Sequence, residues 1–216
     1  MPMSASLAAL LERQLPAIVE HFGTPFHLYD EAGIVSTVDR LLEAFAGVPF
    51  REYYAVKALP NPAILRMLRA RGCGFECAST AELELSEQCG ASGESVFFTS
   101  NNTLPEEFDR ALALDAIVNV DDITMLSKLK RPPSLLSFRF NPGAELVGES
   151  MIGNPLEAKF GVRRDQLVPA YAAAQALGAK RFGLHAMVAS NVLQVEPLLA
   201  TLAMLLELED ELHAQL

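Results

Sequence analysis

The sequence of 216 residues is poor in three things, cysteine, positive charge and long apolar runs, and each absence removes a class of protein. Its three cysteines, Cys73, Cys77 and Cys89, are an odd number without a CxxC pair, so neither a disulfide framework nor a zinc knuckle is signalled. They read as reduced and structural, the ordinary use of a buried thiol. With 17 Lys and Arg against 27 Asp and Glu the formal net charge is -10. That disfavours a nucleic-acid partner, because release of counterions from phosphates needs a basic stripe. No apolar run approaches the ~20 residues of a membrane helix, and the start MPMSASLAALLERQL carries an acidic residue where a signal peptide would be cleaved. The expectation is a soluble cytoplasmic protein with no metal, nucleic-acid or membrane partner.

What is present suits a large core, with half the residues hydrophobic and a fifth charged. After an amphipathic helix around Leu7 to Phe22, short apolar runs rich in β-formers alternate with capped helical stretches. The runs are Phe50 to Val56, Gly74 to Ala78, Ser95 to Thr99, Ala116 to Val120, Leu135 to Phe140 and Arg181 to Val188, most of them too apolar for one solvated face. Such runs predict buried parallel strands. Asn61 with Pro62 opens a helix that Gly72 closes. Ser79 with Glu82 forms a capping box for a helix stopping near Gly90, and Thr103 or Asn102, with Pro105 just inside, opens the next. This α/β rhythm fits a doubly wound sheet or most of a (β/α)8 barrel, and periodicity does not separate them. The chain divides into an N-terminal helical segment over 1–28 and the α/β domain over 29–216. From Asn141 to Phe160 the rhythm breaks into a long loop of the kind that is usually functional. From Val195 to Leu216 a long amphipathic helix runs without a stop signal, so the chain reads as cut within the domain.

Lys57 is the most informative position, since it follows Tyr53-Tyr54-Ala55-Val56 at the C-terminal end of a strand, the edge where barrel chemistry sits. A lysine emerging from an apolar core is expected to be poorly solvated, which favours the free amine and its condensation with an aldehyde. The plain alternative is a lysine that snorkels to solvent.

YYAVKALPNPAIL resembles the YAVKAN-type lysine segment of the alanine racemase-like enzymes that use pyridoxal 5'-phosphate (PLP), particularly the decarboxylases of diaminopimelate, ornithine and arginine. GFECASTAEL is similar to that family's second-strand motif and FTSNN to its third-strand segment. FRFNPG followed by AKFGV is similar to its fifth-strand and loop segments, and GLHAMVASN to its GLHxHIGS segment. These motifs run in order from about Tyr29 to Asn191. The resemblance implies a PLP-binding (β/α)8 barrel of alanine racemase type, with about six of the eight strands here and the family's C-terminal β domain absent. It also implies an amino-acid substrate and a homodimer with active sites at the subunit interface. By the same resemblance Lys57 matches the Schiff-base lysine, Glu76 the acidic residue near it and Ser190 the serine beside the cofactor phosphate, while Arg139 and His185 match motif positions. Read from chemistry alone, Glu76 is a partner for the lysine or an ordinary ion-pair residue, and His185 a functional imidazole or a satisfied core histidine.

Two positions depart from the pattern. Met187 stands where many members have a histidine that stacks on the PLP ring, and its polarizable thioether remains able to cover a ring face. Ala189 replaces the usual glycine, and the Met-Val-Ala-Ser-Asn version looks more like a branch associated with D-lysine or D-ornithine. The family's glycine-rich phosphate loop, its Glu-Pro-Gly-Arg segment and its C-terminal Cys and Tyr have no counterpart in these residues. The expected function is a PLP-dependent decarboxylase with little activity from this piece alone. The alternatives are a racemase of the same fold, a non-catalytic PLP-binding barrel, and an interaction protein retaining part of the barrel.

Overall fold

The computed structural model describes residues 3–143, 160–188 and 192–216, apart from the side chain of Ser6. Most of the expected loop over 141–160, and Ser190 with its neighbours Ala189 and Asn191, lie outside the described residues. The chain divides into two compact units, Met1–Phe50 and Arg51–Leu216. The first contains α1 (Ala5–Phe22) and α2 (Glu31–Ala44). Ser4 caps α1 by accepting from the Leu7 amide, and Asp30 caps α2 by accepting from the Gly33 amide.

The second unit alternates strand and helix: β1 (Tyr53–Ala55), α3 (Pro62–Arg69), β2 (Gly74–Cys77), α4 (Thr80–Gln88), β3 (Val96–Thr99), α5 (Pro105–Ala113), β4 (Ile117–Val120), β5 (Leu136–Phe140), α6 (Arg164–Ala176), β6 (Phe182–Ala186) and α7 (Glu196–Gln215). Every expected apolar run contains one of these strands. All neighbours pair in parallel, in the order β1-β2-β3-β4-β5-β6. Strand order that follows chain order without reversal is the topology of a barrel wall, since a doubly wound sheet changes direction partway. The side chains confirm curvature. The rings of Phe97 on β3 and His185 on β6 lie 5.8 Å apart, although backbones three strand spacings apart would stand roughly 14 Å from each other in a flat sheet. The face bearing those rings is therefore concave.

The opposite face carries the core. Phe75, Phe98, Val118, Leu136 and Phe138 are fully buried there. Phe98 meets Phe108 of α5 edge to face at 6.2 Å, and Phe138 meets Tyr171 of α6 in the same way at 5.1 Å. Both spacings are ones aromatic quadrupoles favour. Asn61 caps α3 as expected, accepting from the amides of Ala63 and Ile64. Ser79 caps α4, and the Glu82 carboxylate reaches back to the Ala78 amide. The start of α5 corrects the sequence reading. Its cap is Leu104, whose amide donates to Glu107, while Thr103 is buried and donates its hydroxyl to the Ser100 carbonyl. A carboxylate at the third helical position thus satisfies the Leu104 amide without a capping hydroxyl. The three cysteines are free and buried, and burial pushes the Cys77 thiol up to about 12. No helix among the described residues is long and apolar enough to cross a membrane.

The helix-facing aromatics carry much of this packing. Phe98→Ala is expected to lower unfolding free energy by about 3–5 kcal/mol, read as a reduced urea midpoint at unchanged slope.

Candidate active site

Parallel register decides which side chains share the concave face. Glu76 pairs with Ala55 and Phe97, Asn119 with Thr99 and Ser137, and Arg139 with His185. Side chains alternate along each strand, so these positions point away from the helices and into the concavity. Asp121, one residue past β4, continues the series that Asn119 begins.

Lys57 lies in a short 3₁₀ turn, Val56–Ala58, directly after β1. Its ammonium stands 3.6 Å from the Glu76 carboxylate. The lysine side chain is 59% exposed, whereas that of Glu76 is 17% exposed. The expectation of a poorly solvated lysine is therefore corrected. β1 is only three residues long and Lys57 lies past the end of its ladder, so the amine clears the apolar core. The desolvated partner is Glu76, whose pKa burial raises while the neighbouring Lys57 ammonium pulls it back down. The pairing of these two residues is as the sequence suggested.

A second constellation lies across β4, β5 and β6. Arg139 faces Asp121 at 3.5 Å and donates to the Asn101 side chain at 3.3 Å, and its guanidinium sits 5.4 Å from the Phe160 ring centre. Burial raises the Asp121 pKa, and the Arg139 charge opposes that rise. The loop bearing Phe160 is fixed to β5, since the Val162 amide donates to the Arg139 carbonyl and the Asn141 amide to the Val162 carbonyl. Gly161 makes that approach possible. Its φ is +91°, and a Cβ there would lie 2.9 Å from the Arg139 carbonyl oxygen. His185 is half-buried beside Phe97, its Nδ1 3.4 Å from the Asn119 side-chain nitrogen. Desolvation, aided by the Arg139 charge, pushes its pKa down to about 4, so the imidazole is neutral. Met187, just past β6, is 45% exposed.

Asn119 and Asp121 were not singled out from sequence. The available signal was two polar residues two apart at the end of a buried strand, hence on one face at the edge where barrels place their chemistry. Asn119, 1% exposed, has a side-chain oxygen without a hydrogen-bond partner, and the oxygen of Asp121, 4% exposed, that faces Arg139 at 3.5 Å accepts no hydrogen bond. A buried acceptor left open marks a surface suited to a polar occupant. Among the described residues no cluster of three or more His, Cys, Asp or Glu could hold a metal ion.

A lysine at the strand-end rim, a half-buried carboxylate beside it and a concave polar face fit an aldehyde cofactor. Residues 31–216 match the model of the family described as pyridoxal-dependent decarboxylase, pyridoxal binding domain. The chain belongs to this family. Among decarboxylase-family relatives and other similar proteins, it is 43% identical over 196 residues to protein TabA of Pseudomonas amygdali pv. tabaci, covering 91% of this chain and 47% of that one. It is 34% identical over 179 residues to diaminopimelate decarboxylase of Thermoplasma acidophilum, covering 81% of this chain and 43% of that one. Among solved structures, diaminopimelate decarboxylase of Helicobacter pylori complexed with L-lysine superposes with a TM-score of 0.83 at 25% identity, over 93% of this chain and 53% of that one. Lysine/ornithine decarboxylase of Vibrio vulnificus complexed with putrescine superposes at 0.77 and 25% identity, over 99% and 54%. The chain spans about half the length of these relatives.

The neutral state of His185 has a measurable consequence. Its folded pKa lies below the ordinary value, so the unfolded chain binds the proton more strongly and the stability contribution is full above about pH 6.5 and lost as pH falls toward 4. Glu76 and Asp121, with raised folded values, act in the opposite sense, contributing at low pH and losing that contribution as pH rises through their folded pKa. The difference in urea stability between the parent and His185→Asn isolates the histidine. That difference is expected to shrink between pH 7 and pH 5, and a constant difference would show that His185 titrates normally.

Proposed function

We propose that this chain is the lysine-bearing, cofactor-binding part of a PLP-dependent amino-acid decarboxylase acting on a diamino acid of the diaminopimelate, lysine and ornithine type. The observation that carries the reading is Lys57 beside Glu76 at the mouth of the concave face, in a chain of the pyridoxal-binding family. The diaminopimelate and lysine/ornithine decarboxylases named above favour this chemistry over a racemase of the same fold. The barrel domain is taken from residue 29, in keeping with a family match that starts at residue 31. The complete enzyme is proposed to work in the cytoplasm as a homodimer, as the family resemblance implies.

Bound PLP supplies an aldehyde for the amine and an electron-withdrawing ring for loss of the substrate carboxylate. Lys57 is the amine that holds the cofactor. Glu76, 3.6 Å from the Lys57 nitrogen, would orient that amine toward the cofactor and hold its ammonium form by charge whenever the lysine is free. Asp121 matches the charge of Arg139, so this deeper pair orients a polar occupant without adding net charge. His185 offers an uncharged imidazole, and Met187 offers an exposed thioether able to lie on a ring face. Ser190 is proposed for the cofactor phosphate on the resemblance of its motif alone.

The test is absorbance of the purified chain with PLP before and after borohydride reduction, followed by peptide mass analysis. A pyridoxyl group fixed on Lys57 and absent from Lys57→Ala is the expected outcome. Equal labelling of other lysines in that variant would remove the reading. The 216 residues are expected to take the cofactor with little release of carbon dioxide from diaminopimelate, lysine or ornithine, because none of them matches the family's Glu-Pro-Gly-Arg segment.

A further inference from the structure

We propose that Asn119 is a positioning residue that holds His185 in a single neutral tautomer, with Nδ1 accepting and the proton on Nε2, so that His185 presents a donor and not a base to the concave face. The functional meaning of that donor rests on the PLP reading above, but the assignment itself rests on the side chains alone.

The contact is built by the strands. Asn119 shares its register line with Thr99 on β3, Ser137 on β5 and, one strand further, Gly183 on β6. To reach His185 the Asn119 amide passes over β5, where only a serine stands, and toward a β6 rung occupied by glycine. A Cβ at Gly183 would already lie 3.3 Å from the Ser137 Cβ, so the rung is kept small at two consecutive strands. The path from Asn119 to the imidazole is open for this reason.

The direction of the hydrogen bonds follows from counting donors. The Asn119 side-chain nitrogen has two hydrogens, and two acceptors are in reach: Thr99 Oγ1 at 3.0 Å and His185 Nδ1 at 3.4 Å. With that orientation one carbonyl oxygen is left without a partner. Turning the amide over would put that oxygen between Thr99 and His185 and aim the two hydrogens of a 1%-exposed side chain to the side where the amide now has no hydrogen-bond partner. Buried donors are orphaned more rarely than under-used carbonyl oxygens, so the first orientation prevails. Nδ1 then carries no proton. Arg139, the register partner of His185, supplies a positive charge that disfavours a second proton on the ring. Nε2–H is the tautomer that remains.

The measurement is a long-range proton–nitrogen correlation spectrum of the chain labelled with ¹⁵N-histidine, at pH 7 and without cofactor, with His185→Gln to assign the His185 ring signals among the four histidines. The expected pattern is one neutral tautomer with a bare Nδ1 and a protonated Nε2. Asn119→Asp replaces the donor by a group that only accepts, and is expected to move the proton to Nδ1 or to protonate the ring fully. Asn119→Ala is expected to give averaged tautomers, and it serves where the aspartate variant does not fold. A protonated Nδ1 in the parent chain, or an unchanged pattern in the folded variants, would overturn the assignment. Failure of PLP to label Lys57 would remove the functional reading and leave the tautomer result standing, so the two failures are distinguishable.

Discussion

The fold and the site both depend on the in-phase alternation of a parallel sheet that must bury one face. Once Phe75, Phe98, Val118 and Phe138 are committed to the helices, the intervening residues have no choice of side. Glu76, Asn119, Arg139 and His185 come from four strands distributed over more than a hundred positions of sequence, yet the register sends all of them to the concave surface. A slip of one residue in any of these four strands would bury its polar group against a helix and turn an apolar neighbour onto the concave face. Hydrophobic burial on one face is thus what assembles polar chemistry on the other.

Gathering charges on such a surface is costly unless each finds a partner. Removing an ion from water costs several kcal/mol even after relaxation, and a buried pair recovers that only with good geometry and supporting hydrogen bonds. The two ion pairs at the site meet this constraint differently. Lys57 and Glu76 sit at the rim, where water still reaches the lysine and screens the attraction. Asp121 and Arg139 are deeper, at 3.5 Å, with Asn101 and the Phe160 ring completing the surroundings of the guanidinium. That separation is long for a hydrogen bond, so the Asp121 oxygen facing Arg139 is held by charge and accepts no hydrogen bond of normal length. An arrangement optimised for stability alone would close that gap or replace the pair with apolar residues. Its retention in a concave, polar, strand-end position is more readily understood as readiness for an occupant.

How far the sequence could be read follows from which signals are local. The strand runs and the caps at Asn61 and Ser79 are local, and the structure has them where the residues suggest. The α5 start at Leu104 was misread because the satisfying group is a glutamate inside the helix, not a hydroxyl before it. The solvation of Lys57 was misread because it depends on where the β1 ladder ends, which the apolar run through Val56 does not mark. Asn119 was passed over for a related reason. Its partner His185 is 66 residues away, and the small residues at Ser137 and Gly183 that let them meet gain meaning only once the register is known. Family resemblance supplied Lys57, Glu76 and Arg139 as a set, while the physical roles of Asp121 and Asn119 needed the structure.

The strand at the other end of the sheet adds a constraint of its own. β6 contributes His185, which its surroundings keep uncharged, and beyond its end Met187, which has no charge to lose. The formal charges of the described site residues therefore lie on β2 and β5 and just past the ends of β1 and β4, and β6 and the residues after it present neutral, polarizable groups. An imidazolium at position 185 would place a second cation beside Arg139 in a half-buried setting, against both desolvation and like-charge repulsion. Keeping it neutral preserves the balance that Asp121 gives Arg139. A thioether at position 187 is compatible with the same balance, since it covers an aromatic face by dispersion and asks for no counter-charge. The exposed thioether at position 187 and the neutral histidine two residues before it both agree with one electrostatic condition, that this side of the concave face carries no net charge.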